Sequence, residues 1–375
     1  MPINIAVVRE RASGESRVAL VPETAKKFAG LGASLLMEQS AGIDSHFLDS
    51  DYAGVAMVAG IPEAYGRADL ILRVNPPSTA EIEAMPEGST LIGLLKPYDD
   101  KARLAALNAR RITAFSLELL PRISRAQSMD ALSSQASCAG YQCGLIAAAR
   151  CTKFFPMLTT AAVTIRPARV LVIGAGVAGL QAIATCKRLG AMVEAYDVRA
   201  AAREQIESLG AKFVDTGVSA DGSGGYAREL TVEEKAAQAE KLAKAVAAAD
   251  VVITTAAIPG KKAPTIITRD MVGRMKYGAI IVDMAAESGG NCELTQAGEH
   301  VVANDVNIHG PLNLPSRMPT HASDLYARNL YNFLSPWIKD GQLAIDWSDE
   351  IVAGTLLCKD GTTVHPVVKQ VLGEA

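Results

Sequence analysis

Four side chains suited to polar chemistry crowd into one short run, RISRAQSMD: Arg122, Arg125, Gln127 and Asp130. An ordinary connector needs none of them, whereas two guanidiniums, an amide and a carboxylate together can orient a polar ligand. Further along, the apolar segment RVLVI (169–173) enters Gly174-Ala175-Gly176-Val177-Ala178-Gly179, a GxGxxG turn, and then the helix-like AGLQAIATCKRLG. In that setting Gly174 permits a tight turn, Gly176 lets the backbone approach a pyrophosphate, and Gly179 lets helix and strand pack closely. The phosphates would sit on backbone N–H groups at the positive end of the helix that Val177 and Ala178 begin. Without a ligand the same glycines are a packing turn.

Asp197 stands twenty-three positions after Gly174, at the end of the next strand, where a carboxylate accepts hydrogen bonds from adenosine ribose hydroxyls. A 2′-phosphate there would meet like charge, which favours NAD(H) over NADP(H). Arg199, just past Val198, offers a guanidinium able to accept that phosphate, so the preference stays open. TTAAIPGKKAP (254–264) leaves a strand through Thr255, Ala256 and Ala257, small residues against which a flat ring can lie, unless it is a plain strand-to-helix loop. DGSGGYAREL (221–230) interrupts the regular pattern with glycines, Gly225 among them, and Tyr226. Such a segment acts as a lid over bound nucleotide or as a solvated linker, and Thr231 with Glu234 caps the helix that follows.

These residues need a scaffold, and the pattern around them supplies one. Strand-like and helix-like stretches alternate, the mark of parallel α/β sheets with covering helices. One series contains NIAVV (4–8), SLLME (34–38), DLILRV (69–74), TLIGLL (90–95) and ITAFSL (112–117), with helices expected at 80–85 and 101–110. A second contains RVLVI, VEAYDV (193–198), AKFVD (211–215), DVVITT (250–255) and AIIVDM (279–284). Between them 133–155 predicts a long, closely packed helix, and 321–340 a polar-capped one that returns to the first series. The expected fold class is α/β: two Rossmann-like, doubly wound parallel-sheet domains separated by a cleft, the chain crossing between them twice. The expected domains are 1–132 with 321–375, and 133–320 carrying a mobile loop at 216–231.

Composition excludes several functions. The 375 residues are 49% hydrophobic and 21% charged, enough for two cores, and a net charge of -3 gives no general electrostatic footprint for nucleic acid. No apolar stretch of about 18 residues predicts a membrane span. The N-terminus runs into a strand instead of a signal peptide, so a cytoplasmic chain is expected. The six cysteines form no CxxC pair and read as reduced thiols, and the five histidines lack metal-ligand spacing, so no metal is expected.

GVAGLQAI, TTAAIPGKKAP, GAIIVDMAAESGGNCE and above all PRISRAQSMDALSSQ resemble the alanine dehydrogenase/transhydrogenase family. Within it they are most similar to the NAD(H)-binding alpha subunits of proton-translocating nicotinamide nucleotide transhydrogenases. The similarity runs over nearly the whole chain, from RERASGESRVALVP to the C-terminal return. It implies that Arg122, Gln127 and Asp130, with Ser133 beside them, serve the nicotinamide site, Arg125 belongs with the cofactor contacts, and Tyr226 is the tyrosine of the mobile loop. It further implies a homodimer docked, at the cytoplasmic face of the inner membrane, on membrane subunits and a partner holding NADP(H). NADH on this chain would then pass hydride to NADP+ on the partner, with proton translocation coupled in the membrane component.

The related alanine dehydrogenases carry a lysine after the third strand and a histidine after the fourth. Here those stretches read LILRVNPP and GLLKPYDD, with Arg73 at the lysine position and no histidine near Lys96. Arg17 and Arg73 could hold a substrate carboxylate, but oxidation of an amino acid also needs a base. Hydride transfer between two nicotinamide rings needs none, only reacting carbons held roughly 3 to 3.5 Å apart. In that reading Gln127 contacts the partner-side ribose or carboxamide, and Arg122 with Asp130 fixes the NADH ring, unless that pair only shapes its loop. A self-contained amino-acid dehydrogenase and a non-catalytic NAD-binding sensor are the other classes.

Overall fold

Short runs of Val, Ile, Leu and Ala, buried on both faces, build the main strands, as parallel sheets covered by helices require. The computed structural model describes residues 2–217, 231–258 and 260–373. The chain divides into two compact units, Met1–Gln135 with Pro315–Ala375, and Ala136–Leu314.

The first unit opens with six parallel strands, β1 (Asn4–Val7), β2 (Ser34–Glu38), β3 (Ala56–Val58), β4 (Leu70–Leu72), β5 (Thr90–Gly93) and β6 (Thr113–Ser116). Their order, β3-β2-β1-β4-β5-β6, is doubly wound and reverses between β1 and β4. The two-residue period sends Ile5, Leu70, Leu72, Ile92 and Phe115 to a core with Phe28, Tyr326 and Phe333. Ala6, Ile71, Leu91 and Ala114 face the other side, against Ile82, Leu104 and Leu107. β3 has no counterpart among the expected strands: three residues with one buried side chain carry too little pattern.

The second unit begins within the helix Ala131–Arg150, which starts two residues before the expected 133 and stops short of 155. A small hairpin, β7 (Leu158–Thr159) with β8 (Thr164–Ile165), precedes the main sheet. That sheet comprises β9 (Arg169–Ile173), β10 (Met192–Tyr196), β11 (Lys212–Phe213), β12 (Val251–Thr254), β13 (Ile280–Asp283), β14 (His300–Ala303) and β15 (Val306–His309). The order is β11-β10-β9-β12-β13-β15-β14, parallel except for the edge strand β14. The β14–β15 pair lies outside the expected strands. Its turn, Asn304-Asp305, takes φ of 48° and 59°, the left-handed pair that a tight hairpin demands. Gly140 and Gly144 bring Ala131–Arg150 against the helix Val177–Arg188: a Cβ on Gly140 would stand 2.0 Å from the Ala178 carbonyl oxygen.

The chain then rejoins the first unit through the helix Pro319–Leu334. It is shorter than the expected 321–340 and lacks a polar cap, since Met318 precedes it and Pro336 cannot donate to continue its ladder. After the hairpin β16 (Ile338–Lys339) with β17 (Gln342–Leu343), β18 (Leu356–Lys359) pairs antiparallel with β6 and β19 (Thr362–Thr363) closes that edge. Among the described residues no helix is long and apolar enough to cross a membrane.

Candidate functional site

In the second unit three strand ends converge where the sheet order reverses, the place where open α/β sheets receive ligands. Gly174 ends β9 at φ 94°, and a Cβ there would stand 2.8 Å from Thr255 Oγ1. Thr255, just past β12, donates that hydroxyl to the Gly174 carbonyl over 3.0 Å, tying the two strand ends together. A Cβ on Gly179 would lie 1.9 Å from the Gly174 oxygen, so helix and turn touch only because both are glycine. Gly176 differs: a Cβ there would meet nothing within 4 Å. Backbone exposed beside the first turn of the helix Val177–Arg188, whose leading N–H groups have no intrahelical acceptor, fits the pyrophosphate of a dinucleotide. Val177 is 43% exposed there, while Ala178 is buried.

Asp197, the residue after β10, is buried and bound into the same turn. Its Oδ2 accepts from the Ala175 N–H at 2.7 Å and from Arg199 Nη2 at 2.7 Å. Its Oδ1 accepts from the Arg199 N–H and Nε, both at 2.8 Å. Burial works to raise its pKa, but the Arg199 and Ala175 hydrogen bonds outweigh it and hold the carboxyl below the usual range. Val198 between them is half-buried.

Thr255, Ala256 and Ala257 pass from buried to exposed, so the segment emerges at the sheet's ligand edge. Its shape depends on Asn291, which the sequence reading did not single out. Asn291 is fully buried; its Oδ1 accepts from Ala256 N–H at 3.0 Å and its Nδ2 donates to the carbonyls of Ala256 and Pro264, both at 2.8 Å. Asp283, also fully buried, holds Asn291 in turn by accepting its N–H at 2.8 Å, together with Thr254 Oγ1 and Thr295 Oγ1. The signal available was the polar pair inside DMAAESGGN, with Gly290 at φ 77°. Gly225 and Tyr226, and most of the loop 216–231, lie outside the described residues. Thr231 beyond them caps the next helix reciprocally with Glu234.

In the first unit the run 122–130 is anchored at several points. Arg122 and Gln127 are exposed, Asp130 and Ser133 half-buried. Asp130 accepts from the Ser133 N–H at 2.9 Å and hydroxyl at 2.5 Å, which caps the helix behind it. Arg125 is forked on Asp349, at 2.6 and 3.0 Å.

Arg17 and Arg73 are committed elsewhere. Arg73, 2% exposed, donates to Glu10 at 3.1 Å, to Glu81 at 2.8 Å and to the Tyr65 hydroxyl at 3.0 Å. Arg17 grips Glu15 through Nε at 2.8 Å and Nη2 at 2.6 Å, and donates to Gln135 at 2.8 Å. Burial works to raise the Glu15 pKa, yet Arg17, Ser316 and Asn75 bring it down to about 2. All six cysteines are free thiols. Among the described residues no cluster of His, Cys, Asp or Glu could hold a metal.

Comparisons with known proteins cover the whole of this arrangement. The N-terminal domain of the alanine dehydrogenase/PNT family matches residues 6–139, and its C-terminal domain matches residues 143–366. The first of the polypeptides that make up NAD(P) transhydrogenase subunit alpha in Rhodospirillum rubrum is 46% identical over 98% of this chain and 99% of its own length. The protein of the same name from Rickettsia prowazekii is 42% identical over 98% of both chains. The crystal structure of a transhydrogenase from Sinorhizobium meliloti superposes with a TM-score of 0.86 at 41% identity, over 97% of this chain and 99% of that one. With both domain patterns matched in order and relatives this similar from end to end, the chain belongs to the alanine dehydrogenase/PNT family.

Proposed function

We propose that this chain is the NAD(H)-binding subunit of a proton-translocating NAD(P) transhydrogenase, a re/si-specific enzyme active only with its NADP(H)-binding partner. The observation that carries the reading over an amino-acid dehydrogenase is the state of Arg17 and Arg73. A substrate carboxylate would need those cations, and each is bound by buried carboxylates of the chain itself. The names of the relatives point the same way.

When bound, NADH supplies a hydride to NADP+ held on the partner subunit. The backbone at Gly174, Gly176 and Gly179 holds the pyrophosphate beside the helix N-terminus, and Asp197 takes the adenosine ribose. Thr255, Ala256 and Ala257 offer the backbone wall, kept in shape by Asn291. Arg122, with Asp130 and Ser133, fixes the nicotinamide conformation, and Gln127 contacts the partner-side ribose or carboxamide. Tyr226 closes over the nucleotide and excludes water. No side chain has to take a proton, so the work of these residues is to position reacting carbons roughly 3 to 3.5 Å apart. The chain acts as a homodimer docked through its partner at the cytoplasmic membrane face, and proton movement is confined to the membrane component.

The test is hydride transfer from NADH to a spectrally distinct NADP analogue, first with the chain alone and then with a transhydrogenase NADP(H)-binding domain added. Transfer only on addition is expected. Turnover of a keto acid and ammonium by the chain alone would overturn the reading.

A further inference from the structure

We propose that Arg199 is a built-in occupant of the adenosine-ribose site: it competes with NAD(H) for Asp197 and makes the site tolerant of a 2′-phosphate. The inference rests on the reading that the second unit binds NAD(H), and it concerns how strongly and how selectively.

An ionised carboxylate offers about four lone-pair positions. At Asp197 four donors fill them: the Arg199 N–H and Nε on Oδ1, the Ala175 N–H and Arg199 Nη2 on Oδ2, all at 2.7 to 2.8 Å. A ribose presents two hydroxyls and needs two of those positions. The bonds from Ala175 and from the Arg199 main chain are fixed by the glycine turn and the strand end, so the two guanidinium bonds must yield. The Arg199 side chain is 23% exposed and Asp197 only 7%, which gives the guanidinium a route outward and the carboxylate none.

Two consequences follow from the exchange. Nucleotide binding breaks two charge-assisted hydrogen bonds before it gains any from the ribose, so affinity for NAD(H) is lower than a bare carboxylate would give. The released guanidinium remains tethered two residues from Asp197, where its planar fork suits a phosphate. A 2′-phosphate that would otherwise meet only negative charge then finds a cation, and discrimination between NAD(H) and its 2′-phosphorylated counterpart narrows.

The full-length chain and its R199A and R199Q variants would be titrated calorimetrically with NADH, ADP-ribose and 2′-phospho-ADP-ribose, at low and at high salt. R199Q keeps the aliphatic stem and serves if R199A does not fold. Tighter binding of NADH and ADP-ribose by about 5-fold and weaker binding of the 2′-phosphorylated probe by at least as much are expected of either variant, with the difference shrinking as salt rises. Weaker NADH binding with an unchanged ratio between the probes would overturn the proposal and make Arg199 a plain cofactor ligand, leaving the transhydrogenase reading intact. A wild-type chain that binds none of the three would overturn both.

Discussion

Asn329, on the helix Pro319–Leu334, donates its side-chain amide to the carbonyl oxygen of Ser128 over 2.9 Å. The same side chain accepts the Ser134 hydroxyl at 2.7 Å, so one buried amide holds both ends of the stretch that contains Asp130 and Ser133. Asn332 adds a second donor to the Ser128 carbonyl at 3.0 Å.

Asn329→Ala removes the clamp from Ser134 but leaves Ser128 its second donor. The expected cost is about 1 kcal/mol of stability, read from urea unfolding. Hydride transfer in the assembled enzyme should slow roughly 10-fold, because the loop loses its set position. Unchanged transfer would mean the loop does not depend on this anchor.

Gln127→Asn shortens an exposed side chain by one methylene and leaves the fold alone. Transfer to a partner-bound NADP analogue should fall by about 10²-fold, the scale set by a displacement of about 1 Å, with NADH affinity nearly unchanged. Loss of NADH binding instead would show that the residue holds the cofactor and plays no part in transfer geometry.

Gly179→Ala would place a methyl 1.9 Å from the Gly174 oxygen and 2.9 Å from Thr255 Oγ1. Backbone must move to admit it, at about 1 to 3 kcal/mol. Because the displaced turn is the pyrophosphate cradle, NADH binding measured by fluorescence titration should disappear while the thermal transition persists at a lower temperature.

Glu15 predicts the acid limit of the first unit. Its folded pKa lies at about 2, below the ordinary value of 4.5. A depressed carboxyl contributes stability that is present above the unfolded pKa and lost as pH falls through the folded one, here about 3 kcal/mol lost between pH 4.5 and 2. Urea midpoints taken across that range should show the loss. Glu15→Gln should lower stability at neutral pH, since Arg17 stays buried without its carboxylate, and should flatten the pH dependence below 4.5.

Local demands on the backbone write themselves into sequence, and these were legible. β9, the glycine turn and the helix behind it stand at Arg169–Ile173, Gly174 to Gly179 and Val177–Arg188, because a buried strand, a left-handed glycine and a helix start each restrict residue type within a few positions. β2 matches its expected span residue for residue for the same reason, while β4 ends at Leu72, two residues before the apolar pattern does. There Arg73 turns to Glu10, sixty-three residues away, and a buried charge with a distant partner leaves no periodic trace.

What the tertiary structure alone decided is of that second kind. Nothing near Arg73 in the chain announces that the Tyr326 hydroxyl donates to its carbonyl, or that Glu10 and Glu81 neutralise it. Asn291 shaping Ala256, Asn329 anchoring Ser128 and Arg199 saturating Asp197 depend equally on which side chains the fold brings within hydrogen-bond reach. The sequence by itself determined the two doubly wound sheets and the glycine turn, through short-range sterics and the burial period of strands. Whether an arginine is available to a ligand or already bound by the chain's own carboxylates was settled only by tertiary contact, because a charge's partner is set by distance in space and carries no fixed spacing along the chain.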